Sequence, residues 1–472
     1  MNSDRRARER RGKGGGIVKR TTIDFTQGNI LQKLTLFAVP IVLAELLQNL
    51  YNTADALVVG NFVGDKALAA VSVCTAISQM VVGFFNGMSI GASVVVSRYF
   101  GAGEDERMSA SMRAGFATAV VLGALLSAAG MALAPSLLRM ISVPAEVYAD
   151  AVVYLRIYLA GILFTVIYNV AAGLLRAVGD SRGPFVILAA VCALNVALDV
   201  AFVVWLRLGV AGVSLATVIS QFVSVLCVYF RLQRFDPRFR LAFAELKRER
   251  HMIADMIGIG MPAGVQNSLI LFSNLFVWKY ISSFDAVSMA GMGAAGKIDR
   301  FVALPCKAFG LALTTYVGQN VGARKPDRIR GGVRCCAALA LCYSVSLGTV
   351  LYFAAPRLVR LFNGNPLVVS VGVGMMRTLL PFYAVMALRE VSLGVTRGYG
   401  DTKVPMLLSL LGMVVLRQLY LAVALAIEHR IELVFWGYPI AWIATTALTT
   451  GYYLLRRKSY EAKLAAPAQA SV

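Results

Sequence analysis

The stretch Leu34–Val63, LTLFAVPIVLAELLQNLYNTADALVVGNFV, determines how the rest of this chain is interpreted. It is long enough to cross a bilayer, because a transmembrane helix needs about 20 mostly apolar residues. It nevertheless contains the carboxylate of Asp55, and a charge at membrane depth costs about 3 kcal/mol or more. Asp55 must therefore face protein or water rather than lipid, which makes it the first candidate for a functional group.

The composition of the 472-residue chain indicates a polytopic α-helical membrane protein. Apolar residues make up 58% of the chain and charged residues only 15%, whereas soluble domains carry about 25% charged residues. Continuous apolar runs such as Ala117–Leu133 argue against a membrane β-barrel, whose strands alternate apolar and polar residues. The seven cysteines form no CxxC pair and no cluster with histidine, so neither a metal centre nor a disulfide framework is expected.

The formal net charge of +21 is distributed as in a membrane protein rather than a nucleic-acid-binding protein. Basic residues concentrate in the N-terminal tail and in the loops after the even-numbered predicted spans. By the positive-inside rule these regions are cytoplasmic, so we expect a multi-pass protein of the cell membrane with both termini inside. The twelve predicted spans lie near 34–62, 67–99, 110–134, 147–175, 185–206, 212–231, 253–282, 288–318, 333–355, 368–396, 404–427 and 435–455.

The sequence of the first six spans is repeated in the last six. Gly173–Pro184 (GLLRAVGDSRGP) matches Gly394–Pro405 (GVTRGYGDTKVP) at an offset of 221 residues, and Pro40 meets Pro262 within one residue of that offset. Because each half has an even number of spans, the halves are parallel repeats, between which transporters commonly bind substrate. The predicted division is a basic flexible tail 1–29, an N-terminal six-helix lobe 30–235, a linker 236–251, a C-terminal six-helix lobe 252–457 and a short tail 458–472.

Polar side chains of spans one, five and six are predicted to meet inside the first lobe. Asn195 and Asp199 are four residues apart and therefore share one face of span five. Together with Asp55 of span one and Thr217 of span six, they offer carboxylate, amide and hydroxyl oxygens. Such a set suits a hard cation such as sodium, and two close carboxylates also share a proton readily. The alternative is that these groups only hydrogen-bond one another and fix the bundle.

The second half carries a different set of charged side chains, because span seven contains no carboxylate after Asp255 near its start. Glu390 in span ten stands among several bases, so we expect it either to form an ion pair with Arg417 or Lys297 or to bind substrate. The residues predicted to line a substrate cavity are Gln48, Tyr51, Asn52, Gln266 and Glu390.

From about Phe25 to Arg457 the sequence resembles the multidrug and toxic compound extrusion (MATE) family. The resemblance rests on the duplicated twelve-span layout and on segments such as LYNTADALVVGNFVGDKALAAVS (Leu50–Ser72), LNVALDV and YVGQNVGARKPDR (Tyr316–Arg328). It implies a V-shaped bundle of two lobes without enzymatic activity. It also implies secondary active efflux by alternating access, in which organic, often cationic and aromatic compounds leave in antiport with sodium or protons.

The resemblance further implies which residues carry the function. Prokaryotic members place their coupling site at positions matching Asp55, Asn195, Asp199 and Thr217, which would bind sodium if sodium is the coupling ion. Pro40 is predicted to be a hinge through which the ionisation of Asp55 bends span one, since a proline removes one helical hydrogen bond. The expected partners are small drug-like molecules and membrane lipids. We expect a monomer that needs no cofactor besides its coupling ion.

Two other functions stay open at this point. A lipid-precursor flippase of the same superfamily would need inward-facing bases without acidic partners, for which the candidates are Lys297, Arg300, Arg389 and Arg417. A membrane-embedded enzyme is disfavoured, because the chain has no HExxH pattern, no Ser/His/Asp set and no paired Cys and His.

Overall fold

The computed structural model describes residues 22–465 except 142, 238 and 242, and only the backbone of residue 245. Within this part of the chain every regular element is helical, and twelve helices are long and apolar enough to cross a membrane. The predicted all-α fold of twelve spans is confirmed. A short helix, Ala244–Arg248, connects the halves. The spans are α1 (Ile30–Phe62), α2 (Asp65–Ala102), α3 (Asp105–Met140), α4 (Ala145–Ala177), α5 (Arg182–Trp205), α6 (Gly209–Phe235), α7 (Arg250–Ile281), α8 (Ala286–Gly322), α9 (Pro326–Arg360), α10 (Pro366–Gly398), α11 (Lys403–Ile427) and α12 (Ile431–Ala465).

Several of these helices begin at residues whose chemistry favours a helix start. The side chain of Asn29 accepts a hydrogen bond from the Gln32 amide at the start of α1, and Asp285 caps α8 through the Ser288 amide. Such caps satisfy backbone donors that have no partner within the helix, typically stabilising it by about 1 kcal/mol. α10 combines a cap from Asn365 with a proline at its first position. Local sequence thus sets these boundaries.

The repeated Gly-Asp turn ends α4 in the first half and α10 in the second. Gly179 and Gly400 both have a left-handed backbone, with φ of +88° and +74°, which glycine adopts without steric cost. The aspartates that follow them have different partners. Asp180 accepts from the Gly183 amide and pairs with Arg231 at 2.6 Å, whereas Asp401 accepts from two tyrosine hydroxyls of α12. The repeat therefore preserves the turn but not its side-chain contacts.

The two halves meet along α2, which packs against α7 over much of its length, with Gly87 against the backbone of Gly264. α2 also crosses α8 near the loops that carry most of the basic residues; we call this the basic end. A side chain on Gly101 would overlap the backbone of Gln319, and one on Gly322 would overlap the backbone of Arg98. These two contacts are related by the 221-residue repeat. Two hydrogen bonds reinforce them. The Arg98 guanidinium donates to the Tyr399 carbonyl at 2.6 Å, and the Gln319 amide donates to the Ala177 carbonyl at 2.9 Å. The crossing is therefore close and nearly twofold symmetric.

Residues 22–29 run between the halves at the same end. The Ile23 amide donates to the Gly179 carbonyl, and the Phe25 amide donates to the Gln319 side chain, both at 2.9 Å. The Phe25 ring is fully buried, 5.1 Å from the ring of Phe37 and 5.3 Å from that of Tyr316. The predicted flexible tail 1–29 included these residues, but the structure packs them between the lobes. Residues 1–21 and 466–472 of the predicted tails lie outside the described residues.

The halves stay joined along α2 and α7 as far as Ser268, whose hydroxyl donates to the Met80 carbonyl at 2.9 Å, and they separate beyond this contact, which gives the predicted V-shaped bundle. The core at the opposite end of the first half consists of first-half side chains alone, including Val59, Leu138 and Val210. The first helix, α1, packs on both halves. Its early residues Leu34 and Phe37 pack into the core of the second half, whereas its last turns pack into that of the first.

Pro40 lies inside α1, which continues unbroken from Ile30 to Phe62. It is buried at the level where the helix leaves the core of the second half, since Ile41 is the last α1 residue in that core. The missing hydrogen bond of a proline is therefore placed between two regions of α1 that pack on different lobes. Its role as a hinge stays a prediction.

The glycine crossing can be tested with two matched substitutions. Gly101→Ala should destabilise the protein by about 1–3 kcal/mol, because the added methyl group overpacks the contact with Gln319. Gly258→Ala in α7 meets no atom within 4 Å, so this variant should keep or slightly raise the melting temperature. Thermal unfolding of the detergent-purified variants measures the difference. Equal melting temperatures for the two would show that the crossing is not closely packed.

Candidate functional site

Asn195 links the two carboxylates of the first half. With its amide nitrogen turned toward them, the orientation that satisfies both groups, it donates to Asp55 Oδ1 at 3.0 Å and to Asp199 Oδ2 at 3.2 Å. Asn195 and Asp199 are fully buried on α5, and Asp55 is buried on α1. The four-residue spacing on α5 and the placement of Asp55 near the far end of α1 therefore bring these groups together at membrane depth.

Thr217 of α6 joins this group through Tyr51. The Tyr51 hydroxyl donates to the Thr217 hydroxyl at 3.1 Å and is also within hydrogen-bonding reach of Asp55. The structure thus brings together the four residues predicted for cation coupling. That these four residues bind the coupling cation stays a prediction.

One oxygen of the cluster has no partner. Asp199 Oδ1 is buried and receives no hydrogen bond from any described residue. A buried carboxylate oxygen without a donor is costly, so its position favours a proton or a bound cation. The oxygen ligands that sodium takes are available here from Asp55, Asp199 and Thr217. The residues therefore fit the predicted coupling ion.

Two tyrosines of α4 line the site, and they were not predicted from the sequence. The rings of Tyr154 and Tyr158 stack at 6.2 Å, and both lie within electrostatic range of Asp55. Their four-residue spacing puts them on one helix face, a signal that was available in the sequence. This spacing could not be assigned to the site without knowing that the two tyrosines of α4 lie close to Asp55 of α1.

The predicted cavity residues have different environments. Gln48 is half-buried and Asn52 is exposed, both on α1. Gln266 is buried and accepts a hydrogen bond from Arg397 at 3.1 Å. Glu390 is buried in an ion pair with the adjacent Arg389, at 2.5 Å. A role of these residues in binding substrate stays a prediction.

The expected partners of Glu390 were wrong. Arg417 instead donates to the Ser273 hydroxyl at 2.8 Å, and Lys297 is exposed and lies over the ring of Phe362 at 5.5 Å. Arg389 and Glu390 are consecutive in α10, and consecutive helical residues do not normally face one another. Pairing them requires both long side chains to turn toward the same interior space.

Two further acids have partners that the sequence did not predict. Glu45 of α1 lies within electrostatic range of the half-buried Arg176 of α4. Asp299 of α8 accepts a hydrogen bond from the Tyr383 hydroxyl of α10. A cavity of about 10 Å³, the size that a single water molecule needs, adjoins this second pair.

The sequence model of the MatE family matches residues 40–201 and again residues 262–422. The chain belongs to the MatE family. Each match falls within one predicted lobe, as expected for a duplicated MatE chain.

Relatives and solved structures of the MatE family extend the likeness over most of the chain. The probable multidrug resistance protein YpnP of Bacillus subtilis is 29% identical over 84% of this chain and 88% of its own length. The probable multidrug resistance protein YoeA of the same organism is 24% identical over 90% of this chain and 94% of its own. A crystal structure of MATE in the bent conformation matches with a TM-score of 0.85 at 20% identity, over 94% of this chain and 98% of that chain.

The bridging amide can be tested by removing it. Asn195→Ala should lower the free energy of unfolding by about 2 kcal/mol or more, because two buried carboxylates each lose a donor. Asn61→Ala, whose exposed amide bonds only to the Leu57 carbonyl, is the matched control and should change stability little. Thermal unfolding at alkaline pH measures both. A smaller effect for Asn195→Ala than for Asn61→Ala would contradict the bridge.

Proposed function

We propose that this protein is a secondary active transporter that exports organic compounds from the cytoplasm in exchange for an inward-moving cation. The observation that carries the proposal is the bridge from Asn195 to Asp55 and Asp199, with one oxygen of Asp199 left free. Intramembrane acids are functional groups by default. The multidrug resistance names of the relatives support export of drug-like compounds.

The chemistry of the site supports coupling to sodium or to protons. Two carboxylates a hydrogen bond apart in a buried site repel one another when both are charged, so one cation relieves the repulsion. A proton on Asp199 would turn its free oxygen into a donor. A sodium ion would instead take the oxygens of both carboxylates. The Asn195 amide would then rotate so that its oxygen, rather than its nitrogen, faces the ion.

Alternating access would link this change to export. Cation binding at Asp55 and Asp199 alters the contacts between α1 and α5, while the early part of α1 packs on the opposite lobe. α1 therefore transmits a change from the site to the crossing at the basic end, with Pro40 between the two. Coupling requires only that the cation and the exported compound favour different states. In this proposal the basic end is cytoplasmic, and the V opens outward.

The lipid-precursor flippase has less support from these contacts. That function called for four inward-facing bases without acidic partners, but Arg389 pairs with Glu390, and Lys297 and Arg300 are exposed. No observation on the described residues favours enzymatic chemistry. We therefore retain export as the proposed function, with a monomer in the cell membrane.

Vesicles loaded with a fluorescent drug-like dye test the coupling. An imposed inward sodium gradient or an imposed inward proton gradient should drive dye efflux by the reconstituted protein, and the gradient that works identifies the ion. Asp55→Asn and Asp199→Asn should each slow gradient-driven efflux at least tenfold, because the cation loses a charged ligand at the site.

Asp65→Asn is the matched control for these variants. Asp65 is an exposed aspartate of the same lobe, at the start of α2, so its substitution should leave efflux unchanged. Normal gradient-driven efflux by Asp55→Asn and Asp199→Asn would show that the coupling site lies elsewhere.

A further inference from the structure

Three arginines lie close together inside the second half. Arg389 and Arg397 extend from α10 and Arg417 extends from α11. Arg397 donates to Gln266 and Arg417 donates to Ser273, both on α7. The aromatic ring of Tyr438 on α12 lies 5.8 Å from the Arg417 guanidinium. Four helices thus surround one group of guanidiniums, which we call the arginine cluster.

Positive charge in the arginine cluster exceeds negative charge. Arg389 lies within electrostatic range of both other arginines. Glu390 lies within electrostatic range of Arg389, Arg397 and Lys307, and Asp299 lies within range of Lys307 and Arg300. With Arg417, five cations therefore share two carboxylates in this part of the lobe. Buried charges normally have a partner of opposite sign, so the excess favours an additional anion.

Two donors of the cluster also have no acceptor. The Nε atoms of Arg389 and Arg417 are buried and make no hydrogen bond with any described residue. The side chains themselves are 8% and 1% exposed. Guanidiniums typically bind a carboxylate through two parallel N–H donors, so free Nε donors on neighbouring arginines are the groups that such an anion would use.

The repeat places Arg417 and Tyr438 of this cluster at positions of the coupling site, whereas Arg389 and Arg397 correspond to Tyr168 and Arg176 outside it. Tyr438 follows Thr217 by 221 residues, and Arg417 follows Asn195 by 222. A π-helical turn, Leu411–Leu416, precedes Arg417 in α11, whereas the corresponding turn of α5, Ala201–Trp205, comes after Asn195. A π-turn accommodates one extra residue. The offset between the halves is therefore 222 between the two π-turns, where Asn195 and Arg417 lie, and it is 221 again beyond them. The guanidinium of Arg417 therefore has the position in the second half that the bridging amide of Asn195 has in the first.

The arginine cluster is not fully enclosed by the protein. Lys307 of α8 is exposed and faces Glu390, while Arg397 and Tyr438 are half-buried. An anion could approach along Lys307 and reach the buried arginines behind it. Long-range attraction by several like charges would favour this path.

We propose that Arg389, Arg397 and Arg417 bind a carboxylate of the exported compound, so that the transporter prefers zwitterionic or anionic compounds over simple organic cations. This inference rests on the proposed export function, because it names the substrate class of that transport. The cation site in the first lobe and the anion subsite in the second are then separate, and the compound does not compete with the coupling ion.

Two rhodamine dyes that differ only in one group test the subsite. One carries a free benzoate and the other its methyl ester, so their aromatic cores match. The wild-type protein, in vesicles of zwitterionic lipid, should export the acid at least tenfold faster than the ester. Arg417→Gln and Arg389→Gln should each reduce this acid-to-ester ratio at least tenfold, and Arg417→Lys should retain part of it. Arg430→Gln, on an exposed arginine at the start of α12, should leave the ratio unchanged.

Binding measurements separate failure of the subsite from failure of the export proposal. Fluorescence polarisation of both dyes with the purified protein should show tighter binding of the acid, lost in either glutamine variant. If neither dye is exported but the acid still binds in this way, the export proposal fails and the subsite stands. Equal affinity for acid and ester in the wild-type protein overturns the subsite, as does an unchanged preference in both glutamine variants. Loss of the preference when anionic lipid is added would assign the cluster to lipid headgroups and overturn the proposal.

Discussion

The packing of α2 of the first half against α7 and α8 of the second is the contact on which the arrangement of the two halves depends. Gly101 and Gly322 let the backbones touch, and the half-buried Arg98 and the buried Gln319 lie beside them and donate to carbonyls of the opposite half. An interface closed in this way either forms completely or separates, because a partial opening leaves buried donors without acceptors. This property is what a transporter with two access states needs, since intermediate openings would let ions leak past.

α1 connects this interface with the buried acids. Its beginning belongs to the core of the second half and its end to that of the first, so the helix cannot follow one lobe without changing its packing on the other. The acids near its end are held by one amide, and the arginine cluster of the other lobe lies away from it. The two lobes therefore differ in charge although they share a fold, which allows an ion and an organic compound to be bound at different places.

Much of this could be predicted from sequence, and the failures have physical causes. Apolar runs predicted all twelve spans, and helix periodicity together with the family resemblance predicted the grouping of Asp55, Asn195, Asp199 and Thr217. The pairing of Arg389 with Glu390 was missed because adjacent helical residues ordinarily point apart. The bridging direction of the Asn195 amide depends on which acceptors surround it, and no local pattern encodes that.

The segment that begins at Ile23 has a consequence for biosynthesis. The Phe25 amide pairs with a side chain 294 residues further along the chain. At a synthesis rate of 5–20 residues per second, that partner emerges about 15–60 s later. During this interval the hydrophobic Phe25 has no native pocket, because Tyr316 has not been made either. Residues 23–25 must therefore wait until the second half is inserted, and they are among the last of the described residues to reach their final positions.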